Sequence, residues 1–452
     1  MLKKILPTVA GSENVVIQLF GLSKTFLLPL LHMSIALFSL TSPLHRETAP
    51  DASSEPFIKG IEKELGDTFL FFGEDYSTYG THTADIIYVR TGGTEGIFKA
   101  LGLTRSGSRC AGPDVQSCGS GSAAPAFLLL TSGESNSLAA SMEILSWLRQ
   151  QGLSGEILHG SAGYIASRIS SISKSSDAAD VSSVAGSPEP FIRPLPEIDL
   201  GGIRLGVIGK PSDWLISSDV DYTKAKSRLN AEIVDIPMSE LLNRLPSCKT
   251  SPKEHPAGPD TEAVDMRSFA GSEAIFDALL GIIRDYRLGG LTLRCFDLLD
   301  TVHNTGCLAL ARLNAQGIPS SCEGDIPALL SMVCLQQTTG CPGFQCNLSR
   351  CTGDELLFAH CTVPLNMVTS YSHTTHFESG LGTAIKGELP TGDVEIFKIS
   401  PDLEHCVRIP GRLLRNTSEP NLCRTQVVVS APGAASYLLR SPLANHHILH
   451  LL

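Results

Sequence analysis

Apolar and polar positions alternate along this chain in two rhythms. Up to about residue 338, short apolar runs alternate with stretches of helical spacing. Thr83–Arg90 (TADIIYVR) predicts a buried strand, with Thr91-Gly92-Gly93-Thr94-Glu95 as the turn after it. Phe127–Leu130 (FLLL) predicts a second strand, ending in Thr131-Ser132-Gly133-Glu134. Ser137–Gln150 then places Leu138, Met142, Leu145 and Leu148 on one helical face, with Gly152 positioned as a C-cap. Strand, glycine-rich turn, helix and strand make the βαβ rhythm of a parallel sheet. Residues 186–196 read as a linker. A second unit follows, with strands predicted over Ile203–Ile208, Glu232–Ile236, Gly290–Cys295 and Ile318–Glu323. Its helices are predicted over Ala274–Tyr286, Asn304–Gln316 and Ile326–Thr338, with a polar loop at 246–262. Beyond Cys341 the rhythm changes: Leu356–His360, Gly380–Lys386, Val394–Ser400 and Thr425–Ser430 read as strands with few helical stretches between them. The pattern predicts two α/β domains and then a mainly β domain.

The first fifty residues follow neither rhythm. Phe26–Leu40 (FLLPLLHMSIALFSL) carries no charge, yet fifteen residues as a helix reach only about 22 Å, short of the ~30 Å core of a bilayer. Extended back to Val15 the tract takes in Gln18 and Lys24, with Pro29 in its middle. Lys3 and Lys4 ahead of an apolar centre fit a signal peptide, but SLTSPLHRETAP offers no clean small-x-small cleavage site. Residues 1–55 are therefore expected to be a hydrophobic extension, with export or anchoring through 15–40 as the alternative. Domains are expected at 56–198, 199–340 and 341–452.

Composition narrows the function. Hydrophobic residues make up 42% of the 452, which excludes a disordered chain. Lys plus Arg number 35 against 46 Asp plus Glu, a net charge of −11. An acidic surface repels phosphate, so nucleic-acid binding is not expected and a small, polar, uncharged ligand stays open. The 13 cysteines are an odd number, and their spacing is unlike a disulfide framework. They read as buried, reduced, small hydrophobes and point to a reducing compartment, the cytoplasm.

In open parallel sheets, ligands sit beyond the carboxyl ends of the strands. One such end is Ser321-Cys322-Glu323-Gly324-Asp325-Ile326-Pro327. Asp325 is placed to cap the helix that Ile326 and Pro327 open, which leaves Glu323 as a candidate metal ligand or general base. Histidines concentrate in the C-terminal half, at His360, His373, His376, His446, His447 and His450. His360, in LLFAHCTVP, reads alone as a satisfied core histidine. Cys341-x4-Cys346-x4-Cys351 lacks the short pairs of a zinc site. Gly92-Gly93 and Gly209-Lys210-Pro211-Ser212 lack the spacing of a phosphate loop, and no Gly-x-Ser-x-Gly is present. What remains is a carboxylate and several imidazoles that could converge on one divalent metal.

The stretch Leu291–Ser400, with LTLRCFDLL, SCEGDIPALLSMVCLQQTTG, FAHCTVPLNM and HFESGLGTAIKGELP, resembles the L-fucose isomerase family, particularly its fucose isomerase-like members. TGGTE, TSGESNSLAASMEILSWLRQQGLSGEILHG and LGVIGKPSDWLISSDVDY fit the same group, so the resemblance covers roughly 56–450. It is most specific from Cys322 to Met367. It implies two Rossmann-like (flavodoxin-like) parallel-sheet domains followed by a barrel-like β domain. It also implies a homo-oligomeric aldose–ketose isomerase that uses Mn²⁺ or another divalent metal on a small sugar. The resemblance implies a metal held by a Glu, an Asp and a His. The Glu matches Glu323, the Asp position falls on Asn347, and the His matches His446, with His447 as the alternative. The related L-arabinose isomerases add a His on a strand like Phe358-Ala359-His360, so His360 is a fourth candidate. The family uses its Glu and Asp as an acid–base pair. An amide cannot take a proton at neutral pH, though its oxygen can bind a hard cation. Asn347 thus weakens the second catalytic role, for which Asp325 or a metal-bound water could substitute, and raises the alternative of a non-catalytic sugar- or metal-binding relative. His446 also stands six residues from Leu452, where a fraying terminus would undermine a ligand.

Overall fold

The computed structural model describes residues 34–103, 127–174, 190–245, 264–440 and 443–452. The first sheet opens on β1 (Ile35–Leu40), six buried residues in a row. It continues through α1 (Pro56–Leu65), β2 (Leu70–Gly73), β3 (Ala84–Val89), α2 (Glu95–Leu101), β4 (Phe127–Leu130), α3 (Ser137–Gln150), β5 (Gly155–Leu158) and α4 (Ala162–Lys174). All five strands are parallel, in the order β2-β1-β3-β4-β5. β1 pairs in register with β3 from Ile35↔Ala84 to Leu40↔Val89.

This corrects the expected start of the first domain at residue 56. IALFSL is an inner strand of the sheet, and a parallel strand covered on both faces needs a near-continuous apolar run. Such a run has no alternation, so within the longer Phe26–Leu40 tract it read as a short membrane-like segment. Residues 15–33 lie outside the described residues. Among the described residues no helix is long and apolar enough to cross a membrane.

The expected linker contributes β6 (Ile192–Pro194). The second sheet then runs β7 (Arg204–Ile208), α5 (Tyr222–Leu229), β8 (Glu232–Ile236), α6 (Met238–Leu242), α7 (Met266–Tyr286), β9 (Gly290–Leu293), α8 (Asp297–Val302), α9 (Cys307–Ala315), β10 (Ser320–Cys322) and α10 (Ile326–Thr339). Its order is β10-β9-β7-β8, again parallel throughout. Helix α7 starts eight residues before the expected Ala274, because Asp265 caps it by accepting from Ser268 N at 2.7 Å.

The third part comprises β11 (Phe344–Thr352), β12 (Glu355–His360), β13 (Ser370–Thr374), β14 (Ala384–Glu388), β15 (Gly392–Ile399), β16 (His405–Thr417), β17 (Thr425–Ser430), α11 (Ala434–Arg440) and β18 (His447–Leu451). Six of these strands close an antiparallel barrel in the order β15-β18-β11-β12-β17-β16, completed by β15–β16 pairing. The linker strand β6 adds to β16, and β13 and β14 form a separate hairpin. β11 is buried on both faces: Phe344, Cys346 and Leu348 join the apolar core, while Gln345, Asn347 and Ser349 make a buried polar face. β18 lies between β11 and β15 and bonds to both. The expected fraying near His446 is thus corrected, since a strand with two ladders is an interior element wherever it falls in the sequence.

Candidate metal centre

Between β10 and α10 only Glu323, Gly324 and Asp325 turn the chain. Glu323 and Gly324 both take left-handed backbone, at φ 65° and 72°. A Cβ on Gly324 would lie 2.6 Å from Lys210 O and 2.7 Å from Pro211 Cα, so the corner admits only glycine there. The corner is pinned by its neighbours. Ser212 N donates to Glu323 O and Gly324 N to Leu293 O, each at 3.1 Å. From the barrel, Gln345 Oε1 accepts from Cys322 N at 2.7 Å and its Nε2 donates to Cys322 O at 3.4 Å. A left-handed non-glycine residue costs about 1–3 kcal/mol and persists where surrounding bonds hold it. Here the cost aims the Glu323 carboxylate out of the corner while Asp325 turns back into α10.

Three side chains meet at that carboxylate. Glu323 Oε1 lies 3.4 Å from His446 Nε2 and 3.7 Å from His360 Nε2. One donor atom from each of the three lies within 4.8 Å of the others. These separations are close to the edge of a tetrahedron with metal–ligand bonds of about 2.1 Å, which is about 3.4 Å. His446 Nε2 is buried and takes no hydrogen bond from the described residues, an orphan that a metal ion would satisfy. The far ring nitrogens are oriented in the manner of metal-ligating histidines: His446 Nδ1 bonds Asp325 Oδ2 at 2.8 Å, and His360 Nδ1 bonds Thr362 Oγ1 at 3.0 Å. Trp214 Nε1 donates to the second Glu323 oxygen at 2.6 Å. This buried Glu-His-His group can hold a metal ion, and a mixed imidazole–carboxylate set suits a divalent first-row ion.

Electrostatics follow from the contacts. Burial works to raise the Glu323 carboxyl, but the charge of His446 and the nearness of both imidazoles outweigh it and hold it well below the usual range. Burial opposes the charge on His446, yet Glu323 and Asp325 raise it to about 10. Burial also opposes ionisation of Asp325, which Lys398 and His446 nonetheless keep low. Lys398 is fully buried and donates from Nζ to His446 O at 2.6 Å.

A cavity of about 270 Å³ opens at Glu323. Trp214 and Phe296, packed edge to face at 4.8 Å between centroids, give it an apolar wall. Its polar lining includes Glu95, Asn136, Asn347 and Glu378. Asn136 follows β4 and Glu95 follows β3, while Trp214, Phe296 and Glu323 follow β7, β9 and β10. The carboxyl ends of both parallel sheets thus face one space, with the barrel closing it.

Of the residues predicted from sequence, Glu323, His360 and His446 come together. His360, which alone read as a core histidine, is buried and also stands within reach of Glu323 and His446. Asn347 lines the same cavity, donates from Nδ2 to Asn136 Oδ1 at 3.5 Å, and leaves its own oxygen buried without a partner among the described residues. Asp325 is fully buried, and its two oxygens are taken by Ala328 N, at 2.7 Å, and by His446. It orients His446 and has no free face to substitute for an acid in the cavity. His447 lies beside Phe358 with neither ring nitrogen hydrogen-bonded. Sequence reasoning missed Trp214, Glu95, Asn136, Glu378 and Lys398. The carboxyl-end rule applied to β3, β4 and β7 reaches the first three; nothing local marks Glu378 or Lys398. No protein-family model matches the chain, and no curated protein matches it either.

Proposed function

We propose that this chain is a divalent-metal-dependent aldose–ketose isomerase of the L-fucose isomerase type, acting on a small unphosphorylated sugar. The observation that carries the reading is the buried Glu323–His360–His446 group at the edge of a mixed apolar and amide-lined cavity. Glu323, His360 and His446 would hold the ion, Mn²⁺ by the resemblance. When bound, it polarises the sugar carbonyl and balances the charge of the enediol. Glu323, ionised at neutral pH, is the acceptor for the C2 proton, and Trp214 fixes its second oxygen. The unpartnered Asn347 oxygen accepts from a sugar hydroxyl. Among the described residues no Lys or Arg lines the cavity to pair with a phosphate, which disfavours a phosphorylated substrate.

The two parallel sheets support the finer fold. β2-β1-β3-β4 and β8-β7-β9-β10 have the same order, the doubly wound flavodoxin-like arrangement whose ligands lie at strand carboxyl ends. Homo-oligomerisation and a cytoplasmic setting belong to the same proposal.

The test is turnover by the Mn²⁺-loaded protein on a panel of aldoses and 6-deoxy aldoses, read as ketose formed. Turnover on at least one sugar, abolished in Glu323→Gln with the fold intact, is expected. Asn347 favours one competing reading, a non-catalytic sugar-binding relative. Turnover that arises only in Asn347→Asp would establish that reading instead.

A further inference from the structure

Isomerisation through an enediol needs two proton-handling groups, one for carbon and one for the two oxygens. Asn347 cannot be the second. We propose that its work is divided: Asn347 binds the substrate hydroxyl and Glu378 carries the proton between the oxygens. This rests on the isomerase reading and deepens it.

The geometry points to Glu378 through a short chain of amides. Asn347 Nδ2 donates to Asn136 Oδ1 at 3.5 Å, and Asn136 Nδ2 donates to Glu378 Oε1 at 2.8 Å. Asn136 is 9% exposed and uses both ends of its amide. That fixes its orientation and engages the Asn347 amide through its nitrogen, while the Asn347 oxygen has no hydrogen-bond partner among the described residues. The second oxygen of Glu378 takes no hydrogen bond from the described residues. Asn347, Glu378 and Glu323 all line the one cavity.

Besides Glu323, the titratable groups in that lining among the described residues are Glu95 and Glu378. Glu95 is 1% exposed and sealed from solvent. Burial, with the charges of Glu143, Glu323 and Glu378, pushes its carboxyl well above the ordinary range. Glu378 is only partly buried and can exchange its proton. Burial first, then the charge of Glu323, brings its carboxyl to about 7, where an acid can both give and take at neutral pH.

The step balances without an oxidant. Glu323 takes the C2 proton, the C2–H electron pair forms the C1=C2 bond, and the carbonyl pair moves to O1, which receives the Glu378 proton. The Glu378 carboxylate then takes the O2 proton, the C2=O2 bond forms, and the C1=C2 pair takes a proton from Glu323 at C1. Both carboxyl groups return to their starting states.

The experiment compares the wild-type chain, Glu378→Gln, Glu378→Asp and Asn347→Asp/Glu378→Gln, each with Mn²⁺. Glu378→Gln is isosteric and should lower kcat about 100-fold or more, the usual scale of acid–base catalysis. KM should move less than about threefold and Mn²⁺ affinity not at all, whereas a structural role would move both. Glu378→Asp should keep part of kcat, and the double variant should regain at least about tenfold, because a carboxyl returns to position 347. A wild-type chain without turnover on any sugar overturns the isomerase reading and this proposal with it. If the wild type turns over and Glu378→Gln keeps its kcat, or the double variant regains nothing, the division of labour falls while the isomerase reading stands.

Discussion

His446 and His447 are both fully buried, yet burial prevails over only one of them. Two carboxylates face His446 and raise it to about 10, whereas burial beside the Lys398 charge drives His447 down to about 3. His447 therefore stays neutral in the folded protein. Its folded value lies below the ordinary 6.5, so between those two values the unfolded chain binds a proton that the folded chain refuses. Stability falls on acidification through that window, by about 2 kcal/mol at pH 5 from this group alone. Chemical denaturation of the metal-free protein at pH 5 and pH 7 measures it. His447→Asn should shrink the difference between the two pH values by about that amount; an unchanged difference would refute the assignment. The sequence shows two adjacent histidines and no difference between them. The difference comes from Glu323 and Asp325, over 100 residues away, so His447 stood as an alternative ligand until the fold was known.

Among the elements, β1 is a six-residue buried strand that sits between β2 and β3 in the first sheet. Phe38 is fully buried and stacks on Phe72 and Tyr76, each at 5.2 Å between centroids. Phe38→Ala leaves a cavity in the first core and should cost about 3–5 kcal/mol, read as a lowered denaturation midpoint. A loss under about 1 kcal/mol would mean that β1 is dispensable to that sheet. Strands such as β8 and β17 were legible to the residue, since EIVDI and TQVVVS are β-branched runs with clear ends. β11 and β18 were not. β11 interleaves Gln345, Asn347, Ser349 and Arg350 with its apolar residues, and β18 carries two histidines in five residues. Polar side chains within an interior strand look like loop in a sequence, so these two were not read, whereas β12, an apolar run that ends in His360, was. The Glu323-Gly324-Asp325 corner was legible because a cap and a glycine leave local marks.

Across the whole molecule, the metal group ties parts that are remote in sequence. Glu323 stands just after β10 of the second sheet, His360 at the end of β12 and His446 just before β18. Any ion held by all three links the second α/β sheet to two barrel strands, and unfolding either part releases it. A ligand that binds only the folded state stabilises by RT ln(1 + [L]/Kd), about 2.7 kcal/mol at a hundredfold excess over Kd. Mn²⁺ should therefore raise the melting temperature in steps that follow its concentration. Calorimetry should show the sheet and the barrel shifting together, because losing any one ligand lowers affinity in both. His446→Ala and Glu323→Gln should each abolish the shift. His447→Asn should keep it, since that ring lies outside the group. A shift that survives His446→Ala would place the ion elsewhere, and the Glu-His-His group would then be a buried ion pair, held by Asp325 and Lys398 for the packing of the barrel end.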